Sequence, residues 1–535
     1  MKTHALDLRD RRKSFGRLEE QVFDVLVIGA GITGCGIARD AAMRGLSVAL
    51  VDRADIGAGT SSRSSKLIHG GLRYLAQGDL FVVKEAAVER RAVRAIAPHL
   101  AQTMPMIIPL RGKTDQAKMV AAMVAYEKLG GVAPEEAHEV WDQAELHARE
   151  PRVRSGKLIG AVVYPEYVTD DFRLTLANAR SAASHGACVD TYARVETLLL
   201  EGGKAAGAIV QAALPGEDDA ARVRARVVVN AAGPWVDAIR RLEDAAAKKK
   251  LQLTKGIHLV VRRERLPLDN TVIMATPDRR SIFAVPRDCF VYIGTTDTFY
   301  PQAEYWPGIT SEDFDYLLLP ASAMFDIEPL TGNDVVSAWA GLRPLLGAEG
   351  KSPSEISRRH ETMEGPGGVL SVAGGKLTSY RSMAERVVNL CEKRLQRKSN
   401  PPPTAEEPLP GGDFAGGPEK LRSQLESLGL NPADSERAAR LYGAEALEIS
   451  SKDAGPAGEV RHAVECEGAL TLEDYWFRRS ARARFDVGPP SALIRAAEHM
   501  SALMGWSEDE QMRQIERCRN LHAEELKARA ETGNQ

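Results

Sequence analysis

Apolar and polar positions come in blocks near the start of the chain. Phe23 to Ile28 is an apolar run, glycines follow, a helical period ends near Arg44-Gly45, and Val48-Ala49-Leu50-Val51-Asp52 is apolar again up to its last residue. That order predicts strand, turn, helix and strand, a βαβ unit. Further strand-like runs lie around 158–164, 189–200, 207–212, 226–230, 257–262, 281–296 and 368–373, with helical stretches between some of them. Beyond Pro401-Pro402-Pro403 the texture changes, and 418–535 shows helical periodicity with almost no strand signal. The proline run therefore predicts a domain boundary. Thr471 with Asp474, and Ser507 with Glu510, have capping-box spacing, which supports helices beyond it. The expected division is a tail over 1–20, an α/β body over 21–400 and a helical domain over 404–535.

A chain of 535 residues exceeds what one core can serve, so several folding units are expected, with room for a large ligand between them. With 44% hydrophobic and 27% charged residues, disordered and fibrous classes are excluded. The net charge of -3 gives no global reason to bind nucleic acid, and no basic, aromatic-rich stripe stands out, so any anion site must be a local pocket. Cys35, Cys188, Cys289, Cys391, Cys466 and Cys518 lack the spacing of a zinc, iron–sulfur or disulfide framework, so no metal is expected and a reducing, cytoplasmic setting is favoured. No run reaches the roughly 20 apolar residues that span a bilayer, and the start lacks a signal-peptide core. Arg9, Arg11, Arg12, Lys13 and Arg17 make the tail basic. Solvation of that tail is the plainer reading, contact with anionic lipid the alternative.

Gly29-Ala30-Gly31-Ile32-Thr33-Gly34 is a GxGxxG turn between a strand and a helix, where backbone amides and the helix N-terminus can hold a pyrophosphate. Gly29, Gly31 and Gly34 are therefore candidate cofactor residues, and Asp52 is placed to accept hydrogen bonds from ribose hydroxyls. The motif alone does not separate NAD from FAD. Two later glycine segments, Asn230-Ala231-Ala232-Gly233 and Ala373-Gly374-Gly375-Lys376, favour FAD, which lies extended and needs several contacts. A helix starting near Gly374 would aim its positive end at the flavin ring.

Residues 59–75, Gly-Thr-Ser-Ser-Arg-Ser-Ser-Lys-Leu-Ile-His-Gly-Gly-Leu-Arg-Tyr-Leu, pack hydroxyls, cations and glycines into one loop, poor material for a core and good material for a ligand. At this loop the chain closely resembles the FAD-dependent glycerol-3-phosphate dehydrogenases. The resemblance continues through Gly233-Pro234-Trp235-Val236, Thr254-Lys255-Gly256-Ile257-His258, Gly294-Thr295-Thr296-Asp297, Gly341-Leu342-Arg343-Pro344-Leu345 and Gly374-Gly375-Lys376-Leu377-Thr378, spanning roughly residues 23 to 390. Beyond that it rests on weaker features such as Leu472-Glu473-Asp474-Tyr475-Trp476 with Arg478 and Arg479.

The resemblance implies a Rossmann-like FAD-binding domain interleaved with an antiparallel-sheet substrate (cap) domain, plus a C-terminal all-helical domain. It places Thr60, Ser61, Ser65, Lys66, Leu67, His69, Gly70, Ala232, Gly233, Gly375, Leu377 and Thr378 at the FAD. For the substrate, sn-glycerol 3-phosphate, it implies Arg73, Tyr74, Thr296, Arg343, Arg358 and Lys376. Paired guanidinium groups suit a phosphate dianion, and Arg343, in an apolar turn, and Arg358 are the expected pair. Oxidising the secondary alcohol takes a hydride to the flavin and a proton to a base. His258 is the preferred base, with Lys376 or Arg343 able to share the role. Relatives split between quinone-linked, membrane-associated enzymes and oxygen-using oxidases. A quinone acceptor is favoured here, with peripheral attachment to the inner face of the cytoplasmic membrane. An amine or amino-acid oxidase of the same architecture is the enzymatic alternative, a flavin-binding scaffold without turnover the non-enzymatic one. A homodimer is left open.

Overall fold

The computed structural model describes all residues except 1–4, 72–78, 279, 348–359, 399, 401, 453–454, 487–489 and 532–535. Among them, two sheets drawn from alternating stretches of the chain form the body.

In the first sheet Val22–Ile28 lies parallel between Ala220–Asn230 and Val48–Val51, with Cys188–Asp190 beyond the latter and Leu370–Ala373 beyond the former. The β period puts Val25 and Val27 on one face and Leu26 and Ile28 on the other. The helices Ile32–Met43, Asp171–Ser184 and Tyr380–Arg394 cover the first face through Ile37, Leu176, Val387 and Val388. On the second face, Phe15 and Leu18 join Leu26 and Ile28 in one apolar cluster.

That second contact corrects the expected tail. Arg11–Glu19 is a helix capped by Asp10, whose side chain accepts from the backbone N–H of Lys13. Phe15 and Leu18 are buried, and the Arg11 guanidinium lies 2.5 Å from the Asp190 carboxylate. Counting charges concealed the apolar residues spaced three apart within the segment, which form the buried stripe.

The second sheet is built on Leu251–Arg262, which runs antiparallel to Val335–Leu346 along nearly its whole length. Leu251–Arg262 also pairs with the short strand Thr298–Tyr300 and with Phe290–Gly294, and beyond the latter come Ser281–Arg287 and Thr271–Ala275, then Gln102–Leu110 and Gly160–Val168. Ile257, Leu259 and Val261 face the helix Ser311–Met324 in a closed apolar cluster. Gly256 and His258, one residue out of phase, face the first sheet instead. The apolar turn expected around Arg343 is in fact this long strand. Val335–Leu346 pairs only with Leu251–Arg262 among the described strands, and an edge strand tolerates Pro344 because its outer side needs no donor. The run expected over 281–296 is two strands joined by a turn at Asp288.

From Gly417 onward the regular elements among the described residues are all helices. Ser507 caps Glu508–Leu526 by accepting from the Glu510 N–H, and Thr471 and Asp474 exchange hydrogen bonds. The architecture is α/β with a helical C-terminal part. The segment following Pro403 stays against the body, since the carbonyl oxygens of Thr404 and Glu407 accept from Arg39.

Candidate active site

A cavity of about 1420 Å³ opens between the two sheets, larger than a pocket for a drug-sized molecule. The glycine turn forms one part of its wall. Gly31 begins the helix Ile32–Met43 without a capping side chain, and Gly31, Ile32 and Thr33 all face the cavity. That leaves amide dipoles and a helix N-terminus turned toward the space where a pyrophosphate could lie. Gly29 has φ +108°, and a Cβ there would sit 2.6 Å from the Ala231 carbonyl oxygen. Gly34 lies behind this wall, where a Cβ would meet the Gly29 oxygen at 1.8 Å, so its function is to seat the helix on the strand.

Asp52 faces the cavity and accepts from Ala30 N–H at 2.7 Å and Ala54 N–H at 2.9 Å. Burial pushes its carboxyl up to about 6, against those two hydrogen bonds. Close by, the Arg53 guanidinium lies over Trp235 and Tyr305, whose rings are 4.5 Å apart. All three line the cavity; Trp235 lies in a segment of the family resemblance, but no sequence pattern marks Arg53 and Tyr305.

The loop after Asp52 supplies Thr60, Ser61, Ser65, Leu67 and His69 to the wall, and Ala232, Gly233, Gly375 and Leu377 also reach it. Thr60 donates to the Leu342 carbonyl at 2.5 Å and Ser61 accepts from Ile32 N–H at 2.9 Å, so the loop is tied to the second sheet and to the helix of the glycine turn. Besides Gly34, three expected cofactor residues do not reach the cavity. Lys66 turns into the protein and pairs with Asp171 at 2.5 Å. Gly70 donates to Glu166 and packs so closely on Tyr126 that a Cβ would meet its hydroxyl at 1.7 Å. Thr378 donates to the His69 carbonyl and so braces the loop from behind. A side chain buried at the base of a loop serves the loop's shape, which adjacency in sequence does not distinguish from ligand contact.

Arg343, His258 and Lys376, which the sequence reading assigns to the substrate, all line the cavity. Arg343 donates to Thr295 Oγ1 at 3.0 Å and to the Thr296 carbonyl at 3.2 Å, and it pairs with Asp297 at 3.1 Å. Thr295, not the expected Thr296, faces the cavity; the Thr296 hydroxyl accepts from Ile257 N–H and is buried. Adjacent residues in an extended segment point to opposite sides, so choosing the wrong member of the pair inverts the assignment. Arg73, Tyr74 and Arg358 lie outside the described residues.

His258 is 1% exposed and stacked on Trp339, ring centroids 4.7 Å apart, with Nε2 2.9 Å from Ser65 Oγ. Burial first, then the charges of Arg343 and Lys66, hold the imidazole well below its usual range, so it is neutral near pH 7. Arg63 also lines the cavity, stacked on Trp306 with its carbon 3.9 Å from the ring centre, and burial lowers it to about 9.

A space of this size with a glycine turn and helix N-terminus, a ribose-competent carboxylate and cationic side chains on its wall fits a flavin dinucleotide beside a small anion. The family model described as FAD dependent oxidoreductase matches residues 24–381, and that described as the C-terminal domain of alpha-glycerophosphate oxidase matches 402–511. Fold and site therefore define an FAD-dependent oxidoreductase. The aerobic glycerol-3-phosphate dehydrogenase of Bacillus subtilis (strain 168) is 36% identical over 553 residues, 98% of each chain, and that of Staphylococcus aureus (strain USA300) 38% identical over 495 residues, 88% of each. The X-ray structure of the glycerol-3-phosphate dehydrogenase from Bacillus halodurans complexed with FAD matches with a TM-score of 0.81 at 32% identity, covering 98% of this chain and 99% of that one. The chain belongs to the aerobic glycerol-3-phosphate dehydrogenase family.

Proposed function

We propose that this chain oxidises sn-glycerol 3-phosphate to dihydroxyacetone phosphate and passes the electrons to a membrane quinone. The observation that carries the reading is the convergence of Arg343, His258 and Lys376 on the cavity that also receives the glycine turn. When bound, FAD supplies the acceptor for the hydride on the middle carbon of the substrate. The glycine turn, Asp52, the loop from Thr60 to His69 and the Gly374-Gly375 turn would hold it. Arg343 offers the phosphate a charged, planar pair of donors. His258, neutral and fixed by Trp339 and Ser65, takes the proton from the secondary hydroxyl. Burial is the main cause that keeps His258 low, and a dianionic substrate beside Arg343 offsets the smaller part that comes from Arg343's charge, so its basicity rises when the substrate arrives.

Support for a quinone comes from another part of the wall, where Met106, Ile108, Met119, Ala122, Tyr164 and Phe283 make an apolar surface. The helix Lys113–Gly130 contributes Met119 and Ala122 to it. The same helix exposes Ala117, Ala121 and Val124 among the exposed cations Lys113, Lys118 and Lys128. Such a helix suits the surface of an anionic bilayer, at the inner face of the cytoplasmic membrane. Among the described residues no helix is long and apolar enough to cross a membrane, and peripheral attachment through this helix is the mode proposed.

The test is turnover of sn-glycerol 3-phosphate with a short-chain quinone under argon, beside the same assay in air. Quinone reduction with little hydrogen peroxide is expected. Peroxide formed stoichiometrically in air, with no quinone reduction under argon, would replace the quinone by oxygen.

A further inference from the structure

Asp55 lies three residues beyond Asp52 and is 1% exposed, with both carboxylate oxygens engaged from the C-terminal helices. Arg479 grips it with two nitrogens, Nη1 to Oδ2 at 2.6 Å and Nη2 to Oδ1 at 2.9 Å, and Arg478 adds Nε to Oδ2 at 2.6 Å. Two neighbouring arginines reach one carboxylate because the segment Asp474–Arg479 is a π-helical turn, with Ser480 N–H donating to the Tyr475 carbonyl at 2.9 Å. Arg478 is itself held by Glu473 at 2.9 Å and Asp474 at 2.5 Å. Asp474 also accepts from the Tyr192 hydroxyl at 2.6 Å, and the Tyr192 N–H donates to the Ala54 carbonyl at 3.1 Å.

These bonds close on the cofactor wall. Ala54 N–H donates to one oxygen of Asp52, and the other accepts from Ala30 inside the glycine turn. The loop from 52 to 55 is therefore held on one side by the turn and on the other by two arginines more than 400 positions away.

We infer that the C-terminal helical part braces the cofactor loop: Arg478 and Arg479, through Asp55, set the position of the Asp52 carboxylate, so that retention of FAD depends on them. They are positioning residues, distant from the reacting atoms. The inference rests on FAD occupying the cavity. Other ion pairs join the same two parts of the chain without touching the loop, notably Arg180 with Glu445 at 2.7 Å. They separate a brace from general docking.

Full-length protein stripped of flavin would be titrated with FAD and followed by flavin fluorescence. For Asp55→Asn the dissociation constant should rise by about 10-fold or more, the scale on which outer-shell partners act at metal sites. At saturating FAD, kcat and the KM for glycerol 3-phosphate should stay within about twofold of wild type, since no contact to the substrate is lost. Glu445→Gln should leave FAD affinity unchanged. Arg479→Lys keeps the charge but loses the two-pronged grip, and it should weaken FAD less than Asp55→Asn does; it serves as the test if Asp55→Asn fails to fold. An unchanged dissociation constant in the folded Asp55→Asn or Arg479→Lys protein overturns the inference. So does equal weakening in Glu445→Gln, which would make the effect one of docking. Wild-type protein that binds no FAD would instead defeat the functional reading beneath it.

Discussion

The guanidinium of Arg343 lies directly over Gly256 on the neighbouring strand, so close that a Cβ at position 256 would stand 2.2 Å from Nη2. The two are diagonal neighbours, since Gly256 pairs with Gly341 and Arg343 follows two residues on along the same face. Gly256 is thus a seat for Arg343, the arginine proposed to bind the substrate phosphate.

Gly256→Ala should therefore push the Arg343 guanidinium off its seat while leaving the FAD wall intact. The expected result is a fall of up to about 100-fold in kcat/KM for glycerol 3-phosphate, the cost of an ångström-scale misplacement. Steady-state kinetics with FAD content checked by absorbance would measure it. A variant with wild-type kcat/KM would show that Arg343 does not bind the substrate from this position.

His258→Ala should retain FAD and substrate but slow reduction of the flavin by about 100-fold or more, the scale of a positioned general base. Stopped-flow absorbance reads this step apart from later electron transfer. An unchanged rate removes His258 from the chemistry and leaves it as a packing partner of Trp339.

Asp52 predicts how FAD binding depends on pH. Its carboxyl is raised to about 6, and only the ionised form accepts from the amides and from a ribose at once. FAD should stabilise that form, so affinity should be level above pH 6 and weaken as pH falls through 6, by at most about tenfold per pH unit. Fluorescence titration between pH 5 and 8 would show the slope, and Asp52→Asn should flatten it.

His462 predicts a stability change in the opposite direction of pH. Burial lowers it, but Glu467 at 3.2 Å outweighs this and holds the imidazolium up to about 9. Glu445 lies 3.9 Å away, while Arg180 opposes the charge. A histidine raised above its unfolded value stabilises fully below about pH 6.5 and loses that contribution as pH climbs through 9, on the order of 3 kcal/mol in all. The melting temperature should fall over that range in wild type. In His462→Gln it should fall less.

Much of this was legible in the sequence because local chemistry and fold agree there. The glycine turn, the strands on either side of it and the loop from Thr60 to His69 all lie where their residues predict. What was not legible depended on partners distant in the chain. Lys66 reads as a cofactor cation until Asp171 is seen beneath it, and the Arg343 segment reads as a turn until Leu251–Arg262 is laid beside it. The stacked Arg53, Trp235 and Tyr305 come from three separate segments, and no spacing within one segment announces them. The grip of Arg478 and Arg479 on Asp55 is hidden for the same reason.

The most direct measurement is anaerobic mixing of the FAD-loaded protein with sn-glycerol 3-phosphate while the visible flavin absorbance is followed. Rapid bleaching by this substrate, and none by glycine or proline derivatives, is the expected result. Bleaching by an amine substrate with no response to glycerol 3-phosphate would contradict the account at its centre.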